Sequence, residues 1–264
     1  MKKIVVCGAI RNVQNTIFDD YQRISKALSD FDLQWLFIES DSRDQTIEAI
    51  KGMMEIDPKI RTEFCGNLAP QMPYRTQRLA HARNLYTQIV KENYQDVDYV
   101  VVADFDGLNS AISKEAVDSS FKNKDWDVVT SNQGDVYYDI WCLRSAGWIE
   151  KDCWKEYFDL TKRGADNLTA FKLAINPLLR TIPRDSDWIE VDSAHGGFLI
   201  FKPEAFIAGT HIPFDKDGRE TCEIVAYNTD LRKAGYRIFI NPAMINAEST
   251  DHGRYQLWMK SQIK

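Results

Sequence analysis

The sequence predicts an α/β fold, a mostly parallel sheet with helices on both faces. Two observations predict it. Strand-like apolar runs alternate with stretches of helical periodicity through the first 130 residues, the rhythm of successive strand–helix–strand crossovers. At 264 residues, with 44% apolar and 27% charged side chains, the chain is also long enough and ordinary enough to bury the core of such a sheet.

The elements follow in order. KIVVCGAI is a first strand. Its run IVVCGAI follows MKK and so mimics a signal peptide, but Arg11 and Asn12 stand where small residues would mark a cleavage site. Residues 12–29 place Ile17, Tyr21, Ile24 and Leu28 at helical spacing. LQWLFIES is a second strand, after which Asp41 and Ser42 cap a helix running to about Met54. A short strand near RTEFC leads to RTQRLAHARNLYTQIVKEN, a third helix with Leu79, Ala82, Tyr86 and Ile89 on one face. YVVVADFD is the next strand, SKEAVDSSFKN a helix and WDVVTSN a strand. After residue 131 the rhythm changes. VYYDIWCLR and HGGFLIFKP read as strands, residues 150–176 as a mainly helical insertion, residues 222–234 as a helix ended by Gly235, and RIFINPAMI as a last strand. No linker separates the halves 1–130 and 131–264, so the chain reads as a single domain, 1–264, with one shared sheet.

Composition excludes several classes. Lys and Arg number 33 against 39 Asp and Glu, a net charge of −6, which argues against nucleic acid as a partner. No apolar run approaches the ~20 residues that span a bilayer. The five cysteines are odd in number and form no CxxC pair. They read as buried thiols of a reducing compartment, not as a zinc site or disulfide framework.

The informative stretch is YVVVADFDG, an apolar strand ending in two carboxylates. Alternate strand residues share a side, so Asp104 and Asp106 form a pair roughly 6–7 Å apart at Cα. Carboxylates that close repel unless a cation lies between them. A divalent metal with oxygen ligands answers that need, at the strand ends where open α/β sheets bind ligands. A plain turn is the alternative, since Asp and Gly favour turns.

Two families place DxD at a strand end. In haloacid-dehalogenase-like phosphatases the motif is DxDGT and opens the domain. Here Leu108 replaces the Thr, and three strand–helix units come first. The GT-A glycosyltransferases are similar in layout, with a nucleotide-binding half before a central DxD. FIESDSRDQTIEAI resembles their second-strand motif, and RLAHARN resembles the arginine signature before their DxD strand. With VADFDG, YYDIWCLR, HGGFLIFK and CEIVAYNTDLRKAGYRIFINP, these stretches resemble, in order, the fungal capsule-associated α-1,3-mannosyltransferase family and its bacterial relatives. The matches sample residues 4–145 and 190–245.

That resemblance implies a GT-A (Rossmann-like) mixed, mostly parallel sheet and a nucleotide-diphospho-sugar donor with Mn²⁺ or Mg²⁺. The acceptor would be a hydroxyl of a glycan or lipid-linked molecule. It assigns Arg11, Glu39, Asp41, Arg78, Arg83 and Asp104 to the nucleotide sugar, and Asp104, Asp106 and His252 to the metal, with Asp251 competing for the place of His252. Tyr138, Trp141, His195, Gly196 and Gly197 fall to the acceptor. Tyr137 is a further stacking candidate, although core packing accounts equally well for such aromatics. Glu223 is the catalytic candidate, a general base if the enzyme inverts, with Glu220 in reserve. The setting implied is surface polysaccharide assembly in the cytoplasm, compatible with peripheral association at the inner membrane face. A DxDG phosphatase and a non-catalytic nucleotide- or sugar-binding protein stand as alternatives.

Overall fold

A computed structural model of the chain describes residues 1–123 and 125–263. In chain order the first half runs β1 (Lys2–Ile10), α1 (Ile17–Ala27), β2 (Phe31–Glu39), α2 (Thr46–Ile56), β3 (Ile60–Phe64), α3 (Arg75–Asn93), β4 (Tyr99–Ala103), α4 (Lys114–Lys122) and β5 (Val128–Gln133). The second half runs α5 (Cys153–Lys162), α6 (Asn167–Ala174), a 3₁₀ turn (Asn176–Leu178), β6 (Ile189–Val191), β7 (Phe198–Phe201), α7 (Pro203–Phe206), α8 (Glu223–Lys233), β8 (Ile238–Ala247) and α9 (Asp251–Ser261).

One eight-stranded sheet carries both halves, in the order β3-β2-β1-β4-β7-β5-β8-β6. Strands β1 to β5 and β8 run parallel; β7, wedged between β4 and β5, and the edge strand β6 run against them. Because β7 is antiparallel, the residues that lead into it lie at the same edge as the ends of β4 and β5. That single reversal brings His195 next to Asp104.

Strand alternation divides the core in two. Val5, Cys7, Val100 and Val102 face one layer with Tyr86 and Ile89 of α3. Ile4, Val6, Val101 and Ala103 face the other, against Ile17 and Ile24 of α1. The same parity continues past the end of β4. Phe105 stays in the second layer, packed edge-on against Phe37 at 5.0 Å, so Asp104 and Asp106 take the opposite, α3-facing parity.

Three expectations differ from the structure. VYYDIWCLR is not a strand; it makes one isolated bridge, Arg144 to Ser193. Its buried positions, Val136, Tyr137, Ile140, Cys142 and Leu143, are spaced by one, three, two and one rather than by a steady two, so a straight strand could not bury them all on one face. Asp41 and Ser42 do not cap α2, which begins at Thr46; there the Asp44 carboxylate accepts from the Thr46 N–H and hydroxyl at 3.1 and 2.6 Å. The helix α9 and the short strand β6 were not expected. α9 buries only Gly253, Gln256 and Met259, too thin a stripe to announce a helix. Helices α5 and α6 fall within residues 150–176. Four of the five cysteines are buried, and all are free thiols.

Candidate active site

A cavity of about 1140 Å³ opens at the end of the sheet where the parallel strands finish. The end of β1, the loop after β4, the first turns of α3 and α8, and the start of α9 form its walls. Of the expected site residues, Arg11, Arg78, Arg83, Asp104, Asp106, Tyr138, Trp141, His195, Glu223 and His252 line it. Glu39, Asp41, Gly196 and Gly197 are not on its wall.

The loop after β4 is held from three sides. The Asp104 N–H donates to the Gly197 carbonyl at 3.0 Å, and Asn109 Nδ2 donates to the Asp104 carbonyl at 2.6 Å. From α1, the Thr16 hydroxyl donates to the Phe105 carbonyl at 2.7 Å, and the fully buried Asp20 carboxylate accepts the Gly107 N–H at 2.8 Å. Gly107 adopts φ +89°, which favours glycine at the turn. Burial pushes the Asp20 carboxyl up to about 6, against the lowering effect of the Gly107 N–H and Arg23. The folded protein therefore holds the Asp20 proton more tightly than the unfolded chain, whose carboxyl titrates near pH ~3.9. Its contribution to stability falls as pH rises from about 4 to about 6. Asp20→Asn is expected to remove that dependence, making the variant more stable than the parent near pH ~7 by on the order of 1–3 kcal/mol, with the gain absent near pH ~4. Urea denaturation at both pH values checks it.

The Asp104 side chain is about one-third exposed, at 32%, toward the cavity, and Asp106 is exposed. Burial pushes the Asp104 carboxyl up, with Arg83 opposing; burial and the neighbouring Asp104 charge push Asp106 up as well. Among the described residues no three Asp, Glu, His or Cys side chains converge on one cation position. His252 lines the cavity but stacks flat on Tyr138, with centroids 5.9 Å apart and planes 11° apart. It is not drawn into a three-ligand cage with the aspartates. The donor set nonetheless fits a hard divalent ion. Mg²⁺ commonly binds through one or two carboxylates and completes its shell with water and substrate phosphate oxygens.

Below the aspartates lies a buried network. Arg83 Nη1 donates to Glu223 Oε1 at 2.9 Å, with side-chain exposures of 7% and 3%. Arg83 Nη2 lies 3.3 Å from His195 Nε2. His195 Nδ1 accepts the Gly197 N–H at 3.0 Å and lies 3.9 Å from carboxylate oxygens of both Asp104 and Asp139. Burial and then the Arg83 charge hold His195 neutral, at about 3. Burial pushes the Glu223 carboxyl up, and Arg83 offsets part of that. Glu220, the reserve for Glu223, instead accepts from the Thr76 hydroxyl at 2.6 Å.

Gly196 and Gly197 serve the frame. The Gly196 carbonyl accepts from Ser131 Oγ, Gln133 Nε2 and Asn246 Nδ2 at 2.9–3.1 Å. At φ +71°, a Cβ on Gly196 would sit 2.8 Å from the Ser131 carbonyl oxygen. Gly196→Ala is therefore expected to cost about 2 kcal/mol or more, read as a lower urea midpoint. Glu39 and Asp41 brace loops. Glu39 Oε1 accepts the Ser42 N–H at 3.1 Å, and Asp41 Oδ1 accepts the Ala69 N–H at 2.8 Å. Asp41 sits at φ +60°, and its Oδ2 lies 3.6 Å from Nε of the cavity-lining Arg78. Arg78 reaches the cavity with its guanidinium held by the Met72 and Pro73 carbonyls at 2.6 and 3.0 Å. Tyr137 is buried in the core, whereas Trp141 reaches the cavity with its Nε1–H on Asp152 Oδ2 at 3.1 Å.

Sequence reasoning missed Arg75, Asp139 and Arg254, all on the cavity wall. Arg75 was legible: it stands three residues before Arg78 on the same helix, the spacing of neighbours on one face. Asp139 was read as part of a strand. Its carboxylate accepts the Gly196 N–H at 3.1 Å.

No family model and no curated protein matches the chain. Solved structures do. A mannosyltransferase from Pyrobaculum calidifontis, solved with GDP-Man and Mn²⁺, superposes with a TM-score of 0.50 at 15% identity, covering 98% of this chain. The chain has the GT-A fold. It spans 61% of the length of that mannosyltransferase. S. aureus TarS (TM-score 0.44, 12% identity, 91% of this chain and 58% of that one) and the mannosyl-3-phosphoglycerate synthase of Rubrobacter xylanophilus (0.38, 13%, 81% and 56%) are more distant. At these identities the likeness is one of architecture. In GT-A terms, the mixed sheet is the expected one, with the cavity at the ends of its parallel strands.

Proposed function

We propose that this protein is a glycosyltransferase that takes a sugar from a nucleotide-diphospho-sugar and passes it to a hydroxyl of a glycan or lipid-linked acceptor. One observation carries the reading: Asp104 and Asp106 line one cavity with Arg11, Arg75 and Arg78, so paired carboxylates and guanidinium groups border a single volume fit for a nucleotide. Guanidinium forks match the oxygens of a diphosphate. Asp104 and Asp106 would hold Mn²⁺ or Mg²⁺, which supplies charge neutralisation for the departing nucleoside diphosphate. Arg75 is exposed at the first turn of α3 and has no ion-pair partner among the described residues, so it is free to take a phosphate.

Glu223 is the proposed base. It lines the cavity, and a carboxyl pushed up by burial is better matched to accepting a proton near neutral pH. Its pairing with Arg83 fixes its direction. Tyr138 and Trp141 offer ring faces to the acceptor. His195, buried and neutral, takes the Gly197 N–H on Nδ1 and belongs to the frame of the site. GDP-mannose, the donor in the Pyrobaculum complex, is the first to test. Among the described residues no helix is long and apolar enough to cross a membrane. A cytoplasmic role in polysaccharide assembly, with peripheral membrane docking, belongs to the same proposal.

The experiment is a panel of nucleotide sugars with and without Mn²⁺, with and without glycan acceptors. Metal-dependent release of nucleoside diphosphate supports the reading. Phosphate release from p-nitrophenyl phosphate that disappears in Asp104→Asn would replace it with a phosphatase. Binding without turnover would replace it with a binding protein.

A further inference from the structure

A second cavity, of about 10 Å³, shares Arg83, His195 and Ile224 with the first. Its shell is otherwise largely apolar, from Val102, Leu199, Phe201 and Phe206 among others. Three polar atoms on residues of its wall have no hydrogen-bond partner: Arg83 Nε, His211 Nδ1 and Asn228 Oδ1. All three residues are more than nine-tenths buried, at 6%, 6% and 1% exposure. They come from α3, the segment between α7 and α8, and α8. Each such atom left unpaired costs about 1–3 kcal/mol, so three on one small cavity call for a common partner.

Their chemistry specifies that partner. Arg83 Nε–H can only donate. Asn228 Nδ2 is spent on Ser193 Oγ and the Ala194 carbonyl at 3.0 and 3.2 Å, which fixes Oδ1 as an acceptor. The His211 ring is clamped in place. It stacks on Tyr227 at 4.2 Å and 3°. Its backbone exchanges two hydrogen bonds with the Asn84 side chain, at 3.0 and 2.9 Å. His211 Nδ1 donates or accepts according to the ring's tautomer. The cavity thus presents one donor, one acceptor and one imidazole nitrogen that can serve as either. A cation would meet the Arg83 guanidinium, and an anion would meet the Asn228 oxygen. A neutral molecule that both accepts and donates satisfies all three, in a volume that holds one water.

We propose that this cavity is the binding site of a single buried water that ties Arg83 to His211 and Asn228. His211 and Asn228 are then positioning residues for the guanidinium whose Nη1 holds Glu223. This stands whether or not the protein transfers sugars. It also gives the Asn84–His211 clamp a purpose: it holds the imidazole that orients the water.

A high-resolution crystal structure of the unmodified protein tests the site. One water is expected within about 2.7–3.2 Å of all three atoms; no density there, or direct pairing among the three side chains, overturns the proposal. Hydrogen exchange of the Arg83 Nε–H, followed by nuclear magnetic resonance, tests the positioning. In His211→Phe, which keeps a ring on Tyr227 but removes the imidazole nitrogen, that proton is expected to exchange at least about 10-fold faster at matched global stability. Exchange unchanged from the parent overturns the positioning role.

Discussion

Asp106→Asn is expected to lower metal-dependent nucleoside-diphosphate release by at least about 100-fold while leaving the protein folded. The substitution keeps the shape of the side chain and removes one of the two charges that would hold the metal. Asp106 is exposed and its one hydrogen bond among the described residues, from the Leu108 N–H at 3.3 Å, can be kept by an amide oxygen. The fold has no stake in the charge; removing it relieves repulsion with Asp104. The thermal midpoint should therefore hold or rise as activity collapses, a pattern typical of residues kept for function. Asp104→Asn should behave alike in activity. Release assays beside thermal melts, with and without Mn²⁺, check both.

Arg83→Ala is expected to have the largest effect on stability, about 3–5 kcal/mol, because it strands the Glu223 carboxylate in the interior. Both side chains of that pair are at least nine-tenths buried. The companion Glu223→Ala strands the guanidinium instead and should cost a similar amount. The double replacement Arg83→Met with Glu223→Leu restores apolar packing and should recover much of the loss. It should not recover transfer, since neither an arginine nor a base remains. Urea denaturation of the parent, Arg83→Met, Glu223→Leu and the double replacement gives the coupling as a double-mutant cycle. Near-additive effects of the two single changes would mean that the pair is not a unit.

The parts of the fold legible in the sequence were those whose neighbours in space are also neighbours in pattern. β1, β2, β4 and β5 are buried on both faces and read as apolar runs. α3 shows its stripe through Leu79, Ala82, Tyr86 and Ile89. The second half is less regular because β7 reverses direction between β4 and β5, so the chain must turn through long segments that are neither strand nor helix. Residues 136–144 bury apolar side chains yet pair in a sheet-like way only through the isolated Arg144–Ser193 bridge, which mimics a strand in composition alone.

The site divides the same way. Asp104 and Asp106 were legible because the strand before them fixes where they point. Arg75 was legible in principle from helical spacing. Asp139 was not, since its place beside His195 and Gly196 depends on the path of an irregular loop. Glu39 and Asp41 were assigned to the nucleotide on pattern; in the structure one oxygen of each accepts a backbone N–H, from Ser42 and Ala69, and Asp41 Oδ2 lies 3.6 Å from Arg78 Nε. The left-handed backbone angle of Asp41 is not encoded by any spacing rule.

The most direct measurement is the affinity of a nucleoside diphosphate for the protein with and without Mn²⁺, by calorimetry, for the parent and Asp106→Asn. If the paired carboxylates hold a cation that bridges to the diphosphate, Mn²⁺ tightens binding at least about 10-fold in the parent, and the diphosphate tightens Mn²⁺ by the same factor. The coupling then vanishes in Asp106→Asn. Binding of equal strength without metal, or a coupling that survives the substitution, would contradict the account.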